Sequence, residues 1–380
     1  MKKKIVILGA GIGGISTAIE LSKQLDGQHD IILIDKEDVY RFAPSYLWVI
    51  VGKRDIEQLA VPIASIARRG IQFIQGAVES IDPNAKVVRV NGTDITADIL
   101  VIALGAETHM EGLEEIAGNG YNLYSAEGAK RIGETRRSAR GKRVAVVVCS
   151  MPFKCPAAPY EAAMLLQSDL GGQKSSTRVS IYTPEPGPLP VAGEAVSKDV
   201  STMLLRKGLH YFPKHVVTNA SSAGKLVFEG GLSADYDYLV YVPKHRAPKV
   251  LVDAGLAAAG GWVPVNRQTL ATQFDDVYAL GDAAGIMLAN GKALPKAGMF
   301  ANGQAKVLAE NIVAKLNGKP ATAVFDGRGA CFIEMGKGLA SKGSGNFYAE
   351  PNPEVALAFP TPFHHWAKVV LEKYWLNFVY

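Results

Sequence analysis

The feature that most constrains the fold is Gly9-x-Gly11-x-x-Gly14, set between the apolar run Lys4 to Gly9 and a helical pattern that continues to Leu25. A second apolar run, Ile31 to Ile34, ends at Asp35. Strand, glycine turn, helix and strand make a complete βαβ unit. The three glycines serve different physical ends. Gly9 permits the tight turn, Gly11 lets backbone approach a pyrophosphate, and Gly14 lets helix and strand pack. The helix N-terminus stabilises the negative charge of the phosphates. Asp35 is placed to accept from a ribose 2′-OH. This spacing reads as a dinucleotide site rather than a plain glycine-rich turn.

The chain has 380 residues, which suggests two or three domains, each large enough for its own core. Its hydrophobic content of 48% and mean hydropathy of +0.09 are too apolar for disorder, yet no run of about 20 apolar residues is present to span a bilayer. The net charge of +5 comes without a basic block longer than Lys2-Lys3-Lys4 or Arg136-Arg137, so nucleic acid is not an expected partner. Only three cysteines occur, Cys149, Cys155 and Cys331, too few for a secreted disulfide framework and without the spacing of a zinc site. No metal is expected. The basic start and the apolar stretch Ile5 to Ile19 outline a secretory leader. The glycine spacing and the lack of a cleavage-like segment argue against one, and the expected compartment is the cytoplasm.

Two further segments say which dinucleotide is bound. Asp98 to Thr108 reads as a buried strand ending in a small-residue turn, and Thr272-x-x-x-x-Val277-Tyr278-Ala279-x-Gly281-Asp282 reads as a second one. With the glycine fingerprint, these resemble the pyridine nucleotide-disulfide oxidoreductase superfamily of flavoproteins across essentially the whole chain. The resemblance implies an α/β fold with two Rossmann-like dinucleotide-binding domains, as in glutathione reductase, and FAD as cofactor. It implies an FAD domain of residues 1–110 and 235–312, a second Rossmann-like domain of 111–234, and a C-terminal region of 313–380. The residues it assigns to FAD are Gly9, Ala10, Gly11, Gly14, Asp35, Lys36, Arg41, Pro44, Val78, Ala103, Leu104, Gly105, Gly281, Asp282, Lys296, Ala297 and Gly298. In the superfamily, backbone N–H groups at a helix N-terminus such as that after Lys296 stabilise charge on the reduced flavin, and Lys296 would add its own.

Between these segments the sequence departs from the superfamily. Arg143 to Val148 is another continuous β run, but a second glycine fingerprint does not follow it. Cys149-Ser-Met-Pro-Phe-Lys-Cys155-Pro-Ala-Ala-Pro-Tyr-Glu161 stands there instead. Side chains obstruct backbone approach to a pyrophosphate, and each proline removes an N–H donor. The second unit is therefore read as degenerate, with electrons entering from something other than NAD(P)H. Ile181 to Thr183 and Tyr238 to Val242 read as further strands of that unit, and Pro184 to Gly193 as a surface loop.

The pattern Cys155-Pro-x-x-Pro-x-Glu161, with Cys331 in Cys-Phe-Ile-Glu-Met, Lys296-Ala-Gly298 before a helix and Pro44-Ser-Tyr-Leu-Trp48, resembles the sulfide:quinone oxidoreductases and the related flavin subunit of flavocytochrome c sulfide dehydrogenase. That resemblance implies a Cys155/Cys331 redox pair beside the flavin, attacked by sulfide to give a persulfide and a thiolate whose electrons reach FAD. Glu161 would be the acid/base, and the product polysulfide or sulfur. Cys149, ending a core strand, reads as a buried thiol. Some members carry a further cysteine where this chain has Leu123, Tyr124 and Ser125. The flavocytochrome's flavin-attaching cysteine would fall near Ser45, and serine cannot form a thioether, so FAD is expected to be noncovalent.

Phe363 to Tyr380 has helical periodicity, with Phe363, Ala367, Val370, Leu371, Tyr374 and Phe378 on one arc and His364, His365, Lys368 and Glu372 on another. Aromatics and lysines in this mixture suit a membrane interface. The alternatives are a core-completing helix or a homo-oligomer contact. The resemblance assigns this end to peripheral membrane docking and the quinone, with Phe332, Phe359 and Phe363 as the ring-packing residues. Two other readings stand beside quinone reduction: a sulfide dehydrogenase feeding a cytochrome on another chain, since no C-x-x-C-H is present, and a flavin-bearing sulfur sensor without turnover.

Overall fold

The computed structural model describes residues 2–171 and 176–379, with the side chain of Phe378 outside the described set. The elements that position the site begin with β1 (Lys4–Leu8), α1 (Ile12–Leu25), β2 (Asp30–Asp35), α2 (Tyr46–Val49), β3 (Gln72–Gln75) and β4 (Ile99–Ile102). A second set follows: β5 (Tyr121–Asn122), β6 (Arg143–Val148), α3 (Ala158–Leu170), β7 (Arg178–Tyr182), β8 (His210–Phe212) and β9 (Tyr238–Val242). The chain closes with β10 (Val277–Ala279), α4 (Gly298–Leu316), β11 (Arg328–Gly336), β12 (Leu339–Asn346), β13 (Glu354–Leu357) and α5 (Pro362–Tyr374).

These strands build two five-stranded parallel sheets of matching order. The first runs β10-β4-β1-β2-β3 and the second β5-β9-β6-β7-β8. Their central strands are unbroken runs of Ile, Val and Leu because helices or other layers cover both faces: Ile5, Val6, Ile7 and Leu8 are fully buried, as are Val146, Val147 and Val148. On one face of the first sheet α1 packs beside α4, and Gly13 and Gly14 are buried where helix meets strand. A separate antiparallel sheet, β11-β12-β13, lays Ile333 and Met335 into the core of the second unit. This α/β architecture is the one expected.

Two expectations of organisation change. Tyr238–Val242 pairs with Arg143–Val148 in the second sheet, so the return to the first unit comes after Val242 and not at residue 235. The reason is hydrophobic: all five residues of β9 are buried in the second unit's cores. Both crossings between units meet in one short ladder, Glu107–His109 against Lys244–Arg246. The segment Pro184 to Gly193 is likewise no mere surface loop, because it buries the side chain of Glu185 against α3.

Candidate active site

The first sheet explains the cradle. Gly9, Asp35 and Ala103 directly follow or end the neighbouring strands β1, β2 and β4, and Gly281 comes two residues after β10, so the turns Gly9-Ala10-Gly11, Asp35-Lys36, Ala103-Leu104-Gly105 and Gly281-Asp282 share one edge. Ligands of open parallel sheets bind in that crevice. Gly9 has φ +99°, and a Cβ there would overlap the Ala103 carbonyl oxygen. A Cβ on Gly14 would overlap the Gly9 carbonyl oxygen, whereas Gly11 and Gly105 face open space. The first pair serves packing and the second leaves room for a ligand. Asp35 uses both carboxylate oxygens on the turn itself, accepting from Ala10 N–H at 2.6 Å and Glu37 N–H at 2.9 Å. Lys36 and Arg41 are exposed, and Pro44 and Val78 half-buried, around the same unit. Ser45 Oγ is buried without a hydrogen-bond partner among the described residues. Bare glycine turns and an orphaned hydroxyl fit an elongated dinucleotide such as FAD, and offer no thiol to attach it.

Lys296 lies within the cradle, bonded to the turn after β10. It is buried because its Nζ donates to the Asp282 and Ala284 carbonyls, at 2.7 and 3.2 Å, and lies 3.5 Å above the Trp262 ring. Desolvation, only partly offset by Asp282, lowers its pKa to about 8. Its ammonium therefore clamps the Gly281 to Ala284 turn. Its carbonyl accepts from Cys155 N–H at 2.6 Å, and Ala297 and Gly298 follow as the N-terminus of α4.

Cys155 sits between β6 and α3 with φ +47°, and Tyr124 Oη donates to its carbonyl at 3.1 Å. Cys331 lies within β11, opposite Gly343. Both cysteines reach solvent on one side, yet the surrounding protein desolvates them. Burial, then Glu161, pushes the Cys155 thiol to about 12 and the Cys331 thiol to about 11. Each is close enough to Glu161 and Lys368 to feel their charges, and Cys331 raises Cys155 further. The two thiols are thus within electrostatic reach of each other and of the Glu161–Lys368 pair. Cys149 is buried in the second unit, with its thiol at about 12.

Glu161, on α3, is buried instead of solvated. Its Oε2 accepts from Glu334 N–H at 2.8 Å and from Lys368 Nζ at 2.7 Å. Desolvation raises its pKa despite Lys368, so the carboxyl is poised to hold a proton beside the thiols. Lys368 comes from α5, whose polar arc turns inward: Lys368 and Glu372 are buried, and His365 Nδ1 lies 2.9 Å from Glu334. Opposite them, Phe363, Trp366, Val370 and Tyr374 are 54–75% exposed, and Phe359 precedes the helix at 79%. Periodicity shows two faces without saying which one points in. Phe332 is half-buried on β11, one strand removed from the segment carrying Phe359, since Ala358 N–H donates to Lys342, opposite Phe332. Tyr380 and the Phe378 side chain, part of the expected apolar arc, lie outside the described residues.

Sequence reasoning missed Glu334, Lys368, Tyr124 and Trp262 as site residues. Tyr124 alone left a signal, falling in the segment where the resemblance expects a further cysteine.

Known proteins resemble this chain over most of its length. The chain is 27% identical to the sulfide-quinone reductase of Aquifex aeolicus, covering 99% of this chain and 91% of that protein. It is 26% identical to the mitochondrial sulfide:quinone oxidoreductase of Dictyostelium discoideum, covering 87% and 75%. The X-ray structure of the Aquifex aeolicus sulfide:quinone oxidoreductase superposes with a TM-score of 0.89 at 25% identity, over 99% of this chain and 91% of that one. The model of the pyridine nucleotide-disulphide oxidoreductase family matches residues 3–297, and with the glycine cradle in place the chain belongs to that family as a flavin-dependent oxidoreductase.

Proposed function

We propose that the protein is a sulfide:quinone oxidoreductase with noncovalent FAD. The observation that carries the reading is that Cys155 and Cys331, distant in sequence, come within electrostatic reach of each other and of the one buried Glu161–Lys368 pair. Residues 1–110 and those beyond Val242 to about 312 hold the flavin, the intervening unit presents Cys155, and residues 313–380 present Cys331 and α5.

The raised thiol pKa values mean that these cysteines do not attack as free thiolates near neutral pH. Hydrosulfide is the nucleophile. It attacks one sulfur of the oxidised Cys155–Cys331 pair, so that one S–S bond forms, one breaks, and the charge passes to the leaving thiolate. Glu161 holds or returns the proton of the persulfide, and Lys368 stabilises the thiolate. FAD supplies a two-electron acceptor between the sulfur pair and the quinone. Ala297 and Gly298 offer backbone N–H groups to it at the start of α4.

Among the described helices none is long and apolar enough to cross a membrane. The exposed row of Phe363, Trp366, Val370 and Tyr374 supports peripheral docking on a bilayer, where Phe359, Phe363 and Phe332 would meet a quinone. The test is anaerobic titration of the flavin spectrum with sulfide, then with a short-chain quinone, and separately with NADH. Bleaching by sulfide and recovery with quinone are expected. Bleaching by NADH alone would overturn the reading.

A further inference from the structure

The segment from Pro184 to Gly193 crosses from one unit to the other. Prolines at 184, 186, 188 and 190 stiffen it, so it holds or comes away as a whole instead of fraying residue by residue. Leu189 and Ala192 pack against the core of the second unit, and Val191 against that of the first. Lys292, in the stretch between β10 and α4, donates from Nζ to the Pro190 carbonyl at 2.9 Å. At the centre of the segment Leu189 has φ +53°, a left-handed conformation that a leucine keeps only when it is held. Glu185 holds it. The Leu189 N–H donates to the Glu185 carboxyl, and the Ala192 N–H donates in turn to the Leu189 carbonyl at 3.0 Å.

Glu185 is 1% exposed and forms no ion pair among the described residues. Tyr160 Oη of α3 and Thr183 Oγ1, the latter at 3.1 Å, both donate to its Oε2, which leaves Oε1 room to carry a proton. Lys214 meets its backbone, with the Lys214 N–H donating to the Glu185 carbonyl at 3.0 Å. The ionisable groups around the carboxyl are Tyr160, Tyr211 of β8 and Tyr124 after β5, and burial holds all three phenols above their usual range, so none is charged near neutrality. The same burial, against the hydrogen bonds, raises the carboxyl to about 7. A buried carboxylate without a cation is costly, and the cost goes once the segment lifts and the carboxylate meets water. We propose that residues 184–193 are a pH-released latch between the two units: with Glu185 protonated the segment clips the second unit to the stretch before α4, and ionisation of Glu185 lets it lift. The proton goes to solvent. Since the carboxyl of the closed segment keeps its proton to higher pH than that of the lifted one, lifting becomes easier as pH rises and levels off above about 7. The latch stands apart from the sulfide reading, because it uses neither the thiols nor their substrate.

The experiment is hydrogen exchange on the flavin-loaded protein at pH 5.5 and pH 8, read at the Leu189 and Ala192 amides and divided by the intrinsic exchange rate at each pH. In wild type the corrected rate is expected to rise about 30-fold, from a carboxyl at about 7 in the closed segment and about 4.3 in the lifted one. Glu185→Gln keeps the shape and has no proton to lose, so its corrected rate is expected to be the same at both pH values. Lys292→Ala loosens the far end and leaves the carboxyl in place. It is expected to exchange about fivefold faster than wild type at both pH values, with the 30-fold ratio kept. A wild-type rate that does not rise overturns the proposal, as does a rise that Glu185→Gln shares. Where Glu185→Gln fails to fold, Lys292→Ala decides: exchange equal to that of wild type would mean that the segment is not fastened to the first unit, and the latch falls. Bleaching of the flavin by sulfide tests the other reading, so the two can fail separately.

Discussion

The two parallel sheets share a strand order and differ in one turn. After β1 the chain turns through Gly9, Ala10 and Gly11 into α1, and bare backbone lines the crevice. After β6 it runs from Cys149 to Ala157 before α3 begins, with Pro159 in the first helical turn. The same frame thus yields either a row of N–H groups for phosphate or a raised thiol. A strand frame fixes where chemistry happens, and the turn residues decide which chemistry it is. The second unit has also filled its crevice. Glu185, just past β7, is buried and accepts from Tyr160 of α3 and from Thr183 at 3.1 Å, so side chains occupy the place corresponding to Asp35 in the first unit.

The contrast breaks most severely at the thiols. Cys155→Ala or Cys331→Ala should slow sulfide bleaching of the flavin by at least ~10³-fold while flavin content stays normal, because the covalent route is lost and the cradle is untouched. In the first turn the reverse is expected: Gly9→Ala, whose Cβ would overlap the Ala103 carbonyl at a φ that suits glycine, should lower flavin affinity by roughly 100-fold, read from the ratio of flavin to protein absorbance.

Glu185 sharpens the comparison through pH. Burial raises its carboxyl to about 7 against its hydrogen bonds from Tyr160 and Thr183. Between the unfolded carboxylate pKa and 7 the unfolded chain is ionised while the folded one still holds the proton, so raising pH through that window removes stability. Glu185→Gln should therefore stabilise the protein by about 2 kcal/mol at pH 8 and leave it unchanged near pH 4, measured by chemical denaturation at both. The smallest effect lies outside both units. Replacing Phe363 and Trp366 with serine should weaken binding to phospholipid vesicles about tenfold and leave sulfide bleaching as it was, since both rings are exposed.

Legibility follows the range of the interactions. The first βαβ unit was plain because strand, glycine turn and helix are contiguous, and the departure after Val148 was plain because prolines and cysteines replace glycines in place. The inward polar face of α5 was hidden. Lys368, His365 and Glu372 are turned in by Glu161, Glu334 and Arg54, partners that come from three other elements and leave no local trace. The surroundings of Lys296 were hidden for a similar reason, since only the fold sets Trp262 and two carbonyls around its ammonium.

The hydrogen bond from Cys155 N–H to the Lys296 carbonyl joins the second unit to the first at the reactive residue itself. Mechanically it is a stitch across the seam. Any gaping of the two halves would carry Cys155 away from the start of α4, so one backbone bond keeps the reactive residue and the flavin cradle in register.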